Sequence, residues 1–179
     1  MVKNLVYSCI VSLLEPKQWK IFNINFRDFQ AEFLSIYEKC MLLEFGKETY
    51  KKYSEIGAII PVSVCICDML LGEEKEKLDL ILKSAPIEIG TLIKRMTGTT
   101  LFEIAAMIGK IWELDEQKCE IIKNSECLEC NNKISALIHF LFFYLVSKPQ
   151  FIDLNSLIEF NTKCIEFIPK TYKKIVNGS

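Results

Sequence analysis

Apolar residues recur three and four positions apart along most of the chain, which is the spacing of one face of an α-helix. A first helix is predicted over residues 3–14. A second begins after Asn25, a suitable N-cap, and ends at Gly46. The apolar face of the second helix consists of Phe26, Phe29, Phe33, Ile36, Tyr37 and Cys40.

Residues 56–71 form the most apolar stretch, with apolar side chains on nearly every side of the predicted helix. A helix of this kind lies at the centre of a domain. Its β-branched residues also permit a buried strand, so both alternatives stay open. Pro61 is expected to begin or kink a helix here, because proline has no backbone N–H. Gly72 is expected to end it.

The second half of the chain continues the helical pattern, with recognisable caps and breaks. Thr100 and Glu103 have the spacing of a capping box, and Asp115 can cap the helix that follows. Gly98 and Pro169 are expected to end helices. The predicted helices cover residues 73–83, 86–96, 100–112, 115–124 and 133–146, and a last one runs from 153 or 155 to 168. Because no linker or repeat interrupts them, we expect an all-α protein with one compact domain over residues 1–179.

Composition agrees with a helical protein that has a large core. Half of the 179 residues are apolar, and the mean hydropathy is +0.21. The chain has only 7 Gly and 5 Pro, which favours long helices over a turn-rich β protein. The formal net charge is −1, and the lysines are scattered among acidic residues. We therefore expect no nucleic-acid partner.

No membrane span or secretory signal is predicted. The apolar run over residues 134–146 is shorter than the roughly 20 residues that cross a bilayer. The first 14 residues contain no small-residue cleavage site. We therefore expect a cytoplasmic protein without a membrane partner, whose eight cysteines are thiols rather than disulfides.

Cys127 and Cys130 form the sharpest chemical motif, a pair of thiols separated by two residues. Such a pair can bind zinc or act as a redox couple. A four-ligand zinc site would also need Cys119 and Cys164, because no second pair has this spacing. Two thiols in a polar loop are the simpler interpretation. We predict no metal and no cofactor, and a zinc or thiol sensor stays as an alternative.

His139 is the only histidine, and it lies within an apolar run. Acid–base and metal catalysis commonly draw on several imidazoles. No acidic or thiol partner lies three or four residues away on the same helix face. A histidine satisfied by a backbone carbonyl is therefore the favoured interpretation, and no catalytic residue is predicted.

Four segments share their order with a known family. Residues 98–106 (GTTLFEIAA) contain a Gly-x-x-Leu start of a helix with Glu and small residues, and residues 112–115 are WELD. Residues 57–61 are GAIIP, and residues 136–139 (ALIH) open a late helix. Together they resemble the HDOD domain, a bacterial relative of the HD-type metal phosphohydrolases. The resemblance implies an HD/HDOD-like helical bundle and a role in signal transduction or regulation through protein or ligand binding.

The residues at the family's metal-binding positions carry neither an imidazole nor a carboxylate here. Ile60 and Pro61 replace a His-Asp pair, and Leu101 replaces the histidine of Gly-x-x-His. The resemblance places the family's tandem histidines around Asn124 and Ser125, and its last metal-binding aspartate near Phe142. The resemblance therefore implies a non-catalytic domain. A metal-dependent phosphohydrolase with an unorthodox site is the alternative.

The family usually begins with further helices that this sequence lacks, so we expect a domain shortened at its N-terminus. The surface that those helices cover elsewhere would then be open to a protein partner or to a second copy of the chain. Some aromatic residues of this region can instead face the core. The predicted interaction residues are Trp19, Phe22, Phe26, Phe29 and Phe33.

Overall fold

The computed structural model describes residues 25–72, 75–84, 89–126, 132–146, 162 and 165–176, and these contain helices and no strand. The protein is therefore all-α. The buried strand considered for residues 56–71 is wrong, because these residues form the second helix. The helices are α1 (Phe26–Tyr53), α2 (Ile56–Gly72), α3 (Lys75–Ser84), α4 (Ile89–Thr97), α5 (Leu101–Ile111), α6 (Glu116–Lys123), the 3₁₀ turn η1 (Asn124–Glu126), α7 (Lys133–Val146) and α8 (Pro169–Val176).

Helix α2 lies at the centre of the described fold. Helices α1, α3, α4 and α5 all contact it. Thirteen of its residues are buried, including the polar Ser63 and Asp68. Because neighbouring helices surround α2, it can carry apolar side chains on nearly every side. The sequence predicts that Pro61 begins or kinks the helix; it lies within α2 rather than at its start, so the first of these two alternatives is wrong.

The predicted caps of the described helices are confirmed. The Asn25 side chain accepts hydrogen bonds from the N–H groups of Arg27 and Asp28. Thr100 and Glu103 form a reciprocal capping box, with N···O distances of 3.0 and 3.1 Å. The hydrogen bond from the backbone of Thr100 lowers the pKa of Glu103.

The predicted helix break at Gly46 is confirmed, but the chain does more than end a helix there. Gly46 has a φ of 80° and a ψ of 175°, which interrupts the helical backbone inside α1. The helix then resumes and continues to Tyr53. The sequence analysis did not assign residues 47–53 to a helix, because their polar composition hides the pattern.

Pro169 begins helix α8, a helix that the sequence analysis did not predict after this residue. Proline is well tolerated in the first turn, where a backbone N–H has no intrahelical partner. The preceding Ile168 is fully buried. The backbone N–H of Thr171 donates to the Glu44 carboxylate, which ties α8 to α1. Most of the helix predicted over residues 153–168 lies outside the described residues, as does the one predicted over 3–14.

Tyr37 joins the middle of α1 to the start of α2. Its hydroxyl donates to the Tyr53 carbonyl at 2.9 Å, and its ring is stacked on Phe33 with centroids 6.3 Å apart. Gly57 lies directly against this ring. A Cβ atom added at Gly57 would come within 2.7 Å of the Tyr37 ring. The close approach of α1 and α2 therefore requires glycine at position 57.

No single helix among the described residues is both long and apolar enough to cross a membrane. Helices α1 and α2 satisfy that test only when taken together, and the chain bends by 78° between them.

We predict that Gly57→Ala lowers the free energy of unfolding by about 1–3 kcal/mol, because the added methyl group overpacks the buried Tyr37 ring. This loss exceeds the gain in helix propensity from glycine to alanine. Urea denaturation measures it. Gly109→Ala is the matched control, since its nearest neighbour, the Cys119 sulfur, would lie 3.3 Å away. An equal loss in both variants would contradict the role of Tyr37.

Candidate functional site

Two places in the described fold combine polar groups with an enclosed environment: the core around His139, and a cavity between α1, α7 and α8. His139 lies in α7, and its ring is stacked with those of Phe102 and Phe143, at centroid distances of 5.9 and 6.1 Å. Its Nδ1 atom lies 2.7 Å from the carbonyl oxygen of Ser125. Because a carbonyl oxygen only accepts, Nδ1 carries the proton of this hydrogen bond. The prediction of a histidine satisfied by a carbonyl is confirmed.

Two serine hydroxyls extend this arrangement. The hydroxyls of Ser125 and Ser135 both donate to the Ile121 carbonyl, at 2.9 and 2.8 Å. These hydrogen bonds hold α7 against the end of α6 and against η1. The last carbonyl groups of α6 have no partner within the helix, and the two serine hydroxyls supply donors to one of them. This arrangement is a junction between helices in which the buried hydroxyl and carbonyl groups are hydrogen-bonded to one another.

Hydrocarbon fills three of the positions at which the family resemblance places metal ligands, whereas Asn124 and Ser125 at the tandem-histidine position are polar. Ile60, Leu101 and Phe142 are all buried in the core. The Phe142 ring packs edge-on against Phe102, with centroids 5.6 Å apart. Within the described residues, no group of three or more His, Cys, Asp or Glu side chains could hold a metal ion.

The cysteines of the described ranges are buried thiols: Cys40, Cys65, Cys67 and Cys119. Burial raises the pKa of Cys67 to about 12, with a further contribution from Asp68. It raises the pKa of Cys119 as well. These thiols therefore stay protonated near neutral pH. Cys127, Cys130 and Cys164 lie outside the described residues, so the zinc or thiol site stays a prediction.

Three of the five aromatic residues predicted for a partner surface belong to the core. Phe26, Phe29 and Phe33 are at most 5% exposed. They therefore form no exposed patch. Burial in the core is the alternative that the sequence left open for some of these aromatic residues. Trp19 and Phe22 lie outside the described residues, so their part in an interaction surface stays a prediction.

The second place is a half-open cavity of about 210 Å³. Residues at helical spacing on α1 and on α8 face each other across it, and one residue of α7 completes the wall. Its lining residues are Ile36, Lys39, Cys40, Leu43, Tyr144, Thr171, Lys174 and Ile175. The cavity thus has an apolar interior and two lysines, a combination typical of sites for small amphipathic molecules.

Thr171 is the most unusual residue of this cavity. Its side chain is fully buried, and its hydroxyl oxygen has no hydrogen-bond partner within the described part of the chain. Leaving a buried polar group unpaired costs about 1–3 kcal/mol. The neighbouring Cys40 thiol is a weak partner at best. Burial raises the pKa of Cys40 to about 11, although the Thr171 hydroxyl and Lys174 act in the opposite direction.

Lys39 and Lys174 bring two positive charges to the cavity, and both are exposed. The ion pairs found between described residues lie elsewhere: they join Lys51 to Glu48, and Lys118 to Glu55 and Asp115. The nearby Glu44 carboxylate accepts the backbone N–H of Thr171 instead. The two ammonium groups are therefore available to an anion.

The sequence analysis missed the cavity residues Lys39, Thr171 and Lys174. Each is unremarkable in isolation, and α8 was not predicted. The available signal was the spacing of Thr171, Lys174 and Ile175 after Pro169, which marks one face of a short helix.

Comparisons of the chain with protein family models, with curated proteins and with solved structures found no match. The likeness to the HDOD domain therefore depends on the residues of this chain alone.

We predict that the single imidazole of this protein carries its neutral-state proton on Nδ1, because the Ser125 carbonyl accepts from that atom. Long-range ¹H–¹⁵N NMR above pH 8 measures this without ambiguity, since no other histidine contributes a signal. His139→Phe keeps an aromatic ring but removes the donor, so it should lower the free energy of unfolding by about 1–3 kcal/mol. A proton on Nε2 instead would contradict the structural role of His139.

Proposed function

We propose that this chain is a non-catalytic helical domain of HDOD type that acts in signal transduction or regulation by binding a ligand or a protein partner. The observation that carries the proposal is the hydrocarbon at Ile60, Leu101 and Phe142, the positions at which the resemblance implies metal donors. The order of α2, α5 and α7, with caps at Thr100 and Asp115, supports the likeness.

The chemistry of phosphoester hydrolysis explains why these three residues matter. A metal phosphohydrolase needs cations that polarise the phosphate and generate a nucleophilic hydroxide. Such cations take imidazole and carboxylate ligands, and the side chains of Ile60, Leu101 and Phe142 offer neither. The Nδ1 atom of the one imidazole is already engaged with the Ser125 carbonyl. The packing supports a scaffold that presents a surface or a pocket.

The proposal predicts that the purified full chain does not hydrolyse phosphodiesters in the presence of Mg²⁺, Mn²⁺ or Zn²⁺. Hydrolysis of bis(4-nitrophenyl) phosphate should stay at the rate of a buffer control, and metal analysis after dialysis should find no stoichiometric ion.

A matched variant makes this test decisive. Leu101→Ala removes buried hydrocarbon at one of these positions without adding a donor, so it should leave the background rate unchanged. Turnover that depends on bound metal, is abolished by a chelator and is altered in Leu101→Ala would overturn the non-catalytic proposal in favour of a phosphohydrolase.

A further inference from the structure

We propose that the cavity between α1, α7 and α8 binds a small amphipathic anion, whose carboxylate is held by Thr171, Lys39 and Lys174 and whose apolar body fills the space between the helices. This inference deepens the proposed regulatory function by naming the class of ligand. It draws on three independent features of the cavity: its size and apolar walls, its charge, and its unpaired buried hydroxyl.

The size and walls of the cavity set the apolar part of the ligand. Ile36 and Leu43 on α1 face Ile175 on α8, and Tyr144 closes one side. A dry cavity of about 150 Å³ takes up benzene, so a volume of 210 Å³ suits a body of roughly six to ten carbon atoms. Each buried methylene group should strengthen binding about fourfold.

The two lysines set the sign of the ligand's charge. Lys39 and Lys174 come from different helices, and both line the same cavity. Neither takes part in an ion pair with a described residue, and the Glu44 carboxylate is engaged by the backbone of Thr171. The Glu44 carboxylate keeps its negative charge in this hydrogen bond, so the two lysines leave a net positive charge around the cavity, which attracts an anion and disfavours a cationic amphiphile.

Thr171 fixes where the head group lies. Its hydroxyl is fully buried and unpartnered among the described residues, and it belongs to the lining of the cavity. The hydroxyl oxygen is closed to water in this arrangement, so the ligand reaches it through a small shift of the cavity wall; a ligand oxygen placed there would accept this O–H and remove an unpaired polar group from the interior. Since a carboxylate oxygen is a charged acceptor, its hydrogen bond is stronger than one to a neutral oxygen.

Octanoate is the probe for this site, used with the full chain at concentrations below micelle formation. Isothermal titration should give saturable binding of one octanoate per chain. In ¹H–¹⁵N spectra, the shifted amides should cluster in residues 36–43 and 171–175. Octanol, which keeps the tail but not the charge, should bind about tenfold more weakly. Hexanoate should bind roughly fifteenfold more weakly, because it lacks two methylene groups.

Thr171→Val is the critical variant, because it keeps the shape of the side chain and removes only the hydroxyl. We expect about tenfold weaker octanoate binding with a free energy of unfolding that is unchanged or higher, since the lost group was unpaired. A threonine with a merely structural role would instead change stability and leave affinity unaltered. Lys39→Met and Lys174→Met should each weaken binding, whereas Lys94→Met on α4 is a matched control and should not.

Three results would overturn the inference: no saturable octanoate binding up to millimolar concentration, equal binding of octanol and octanoate, or undiminished binding by a folded Thr171→Val variant. Each leaves the non-catalytic proposal standing, because that proposal fails only on metal-dependent turnover. The two ideas are therefore separable by experiment.

Discussion

The described structure depends on the enclosure of one helix that is apolar on nearly every side. Helix α2 cannot face water over most of its length, so other helices must cover it, and α1, α3, α4 and α5 do so. Close approach at its start requires a residue without a side chain, which is Gly57 against the Tyr37 ring. The same constraint explains why most side chains of α2 are hydrocarbon, because an unpaired polar group would be costly among these neighbours, and only Ser63 and Asp68 are buried polar residues of this helix. The hydrocarbon at Ile60, Leu101 and Phe142, on which the proposal of a non-catalytic domain rests, thus belongs to the same packed core.

Polar atoms remain in the interior where a backbone group needs them. His139, Ser125 and Ser135 supply hydrogen bonds to carbonyl groups at the junction of α6, η1 and α7. Tyr37 does the same for the last residue of α1. These side chains satisfy the ends of helices, which is the commonest use of a buried donor. The Thr171 hydroxyl differs from them, since it lines a cavity and meets no described acceptor. That contrast is the reason for proposing the cavity, and not the junction around His139, as a binding site.

Local signals in the sequence predicted most of the described helices, because caps and periodicity act over a few residues. Asn25, Thr100 and Asp115 were recognisable as caps from their own neighbours. The helical segments that were not predicted depend on tertiary contacts rather than on local sequence signals. The polar residues 47–53 continue a helix after the break at Gly46, and Pro169 begins α8 where a helix was expected only to end. The cavity residues were invisible for the same reason: Lys39 and Lys174 are 135 positions apart, and only the packing of α8 on α1 brings them to one site.

The position of the cavity carries a consequence for regulation. Helix α8 has eight residues, too few for a stable helix in isolation, so its folding depends on contacts with α1. Those contacts include the carboxylate of Glu44 and the Leu43 carbonyl, which accept from Thr171 and Lys170. A ligand held between the two helices would add to these contacts and favour the docked arrangement by mass action. Ligand binding at the cavity would thus increase the fraction of molecules in which α8 is folded and docked on α1. By this physical route, the proposed binding of a small molecule would be coupled to the docking of α8 on α1.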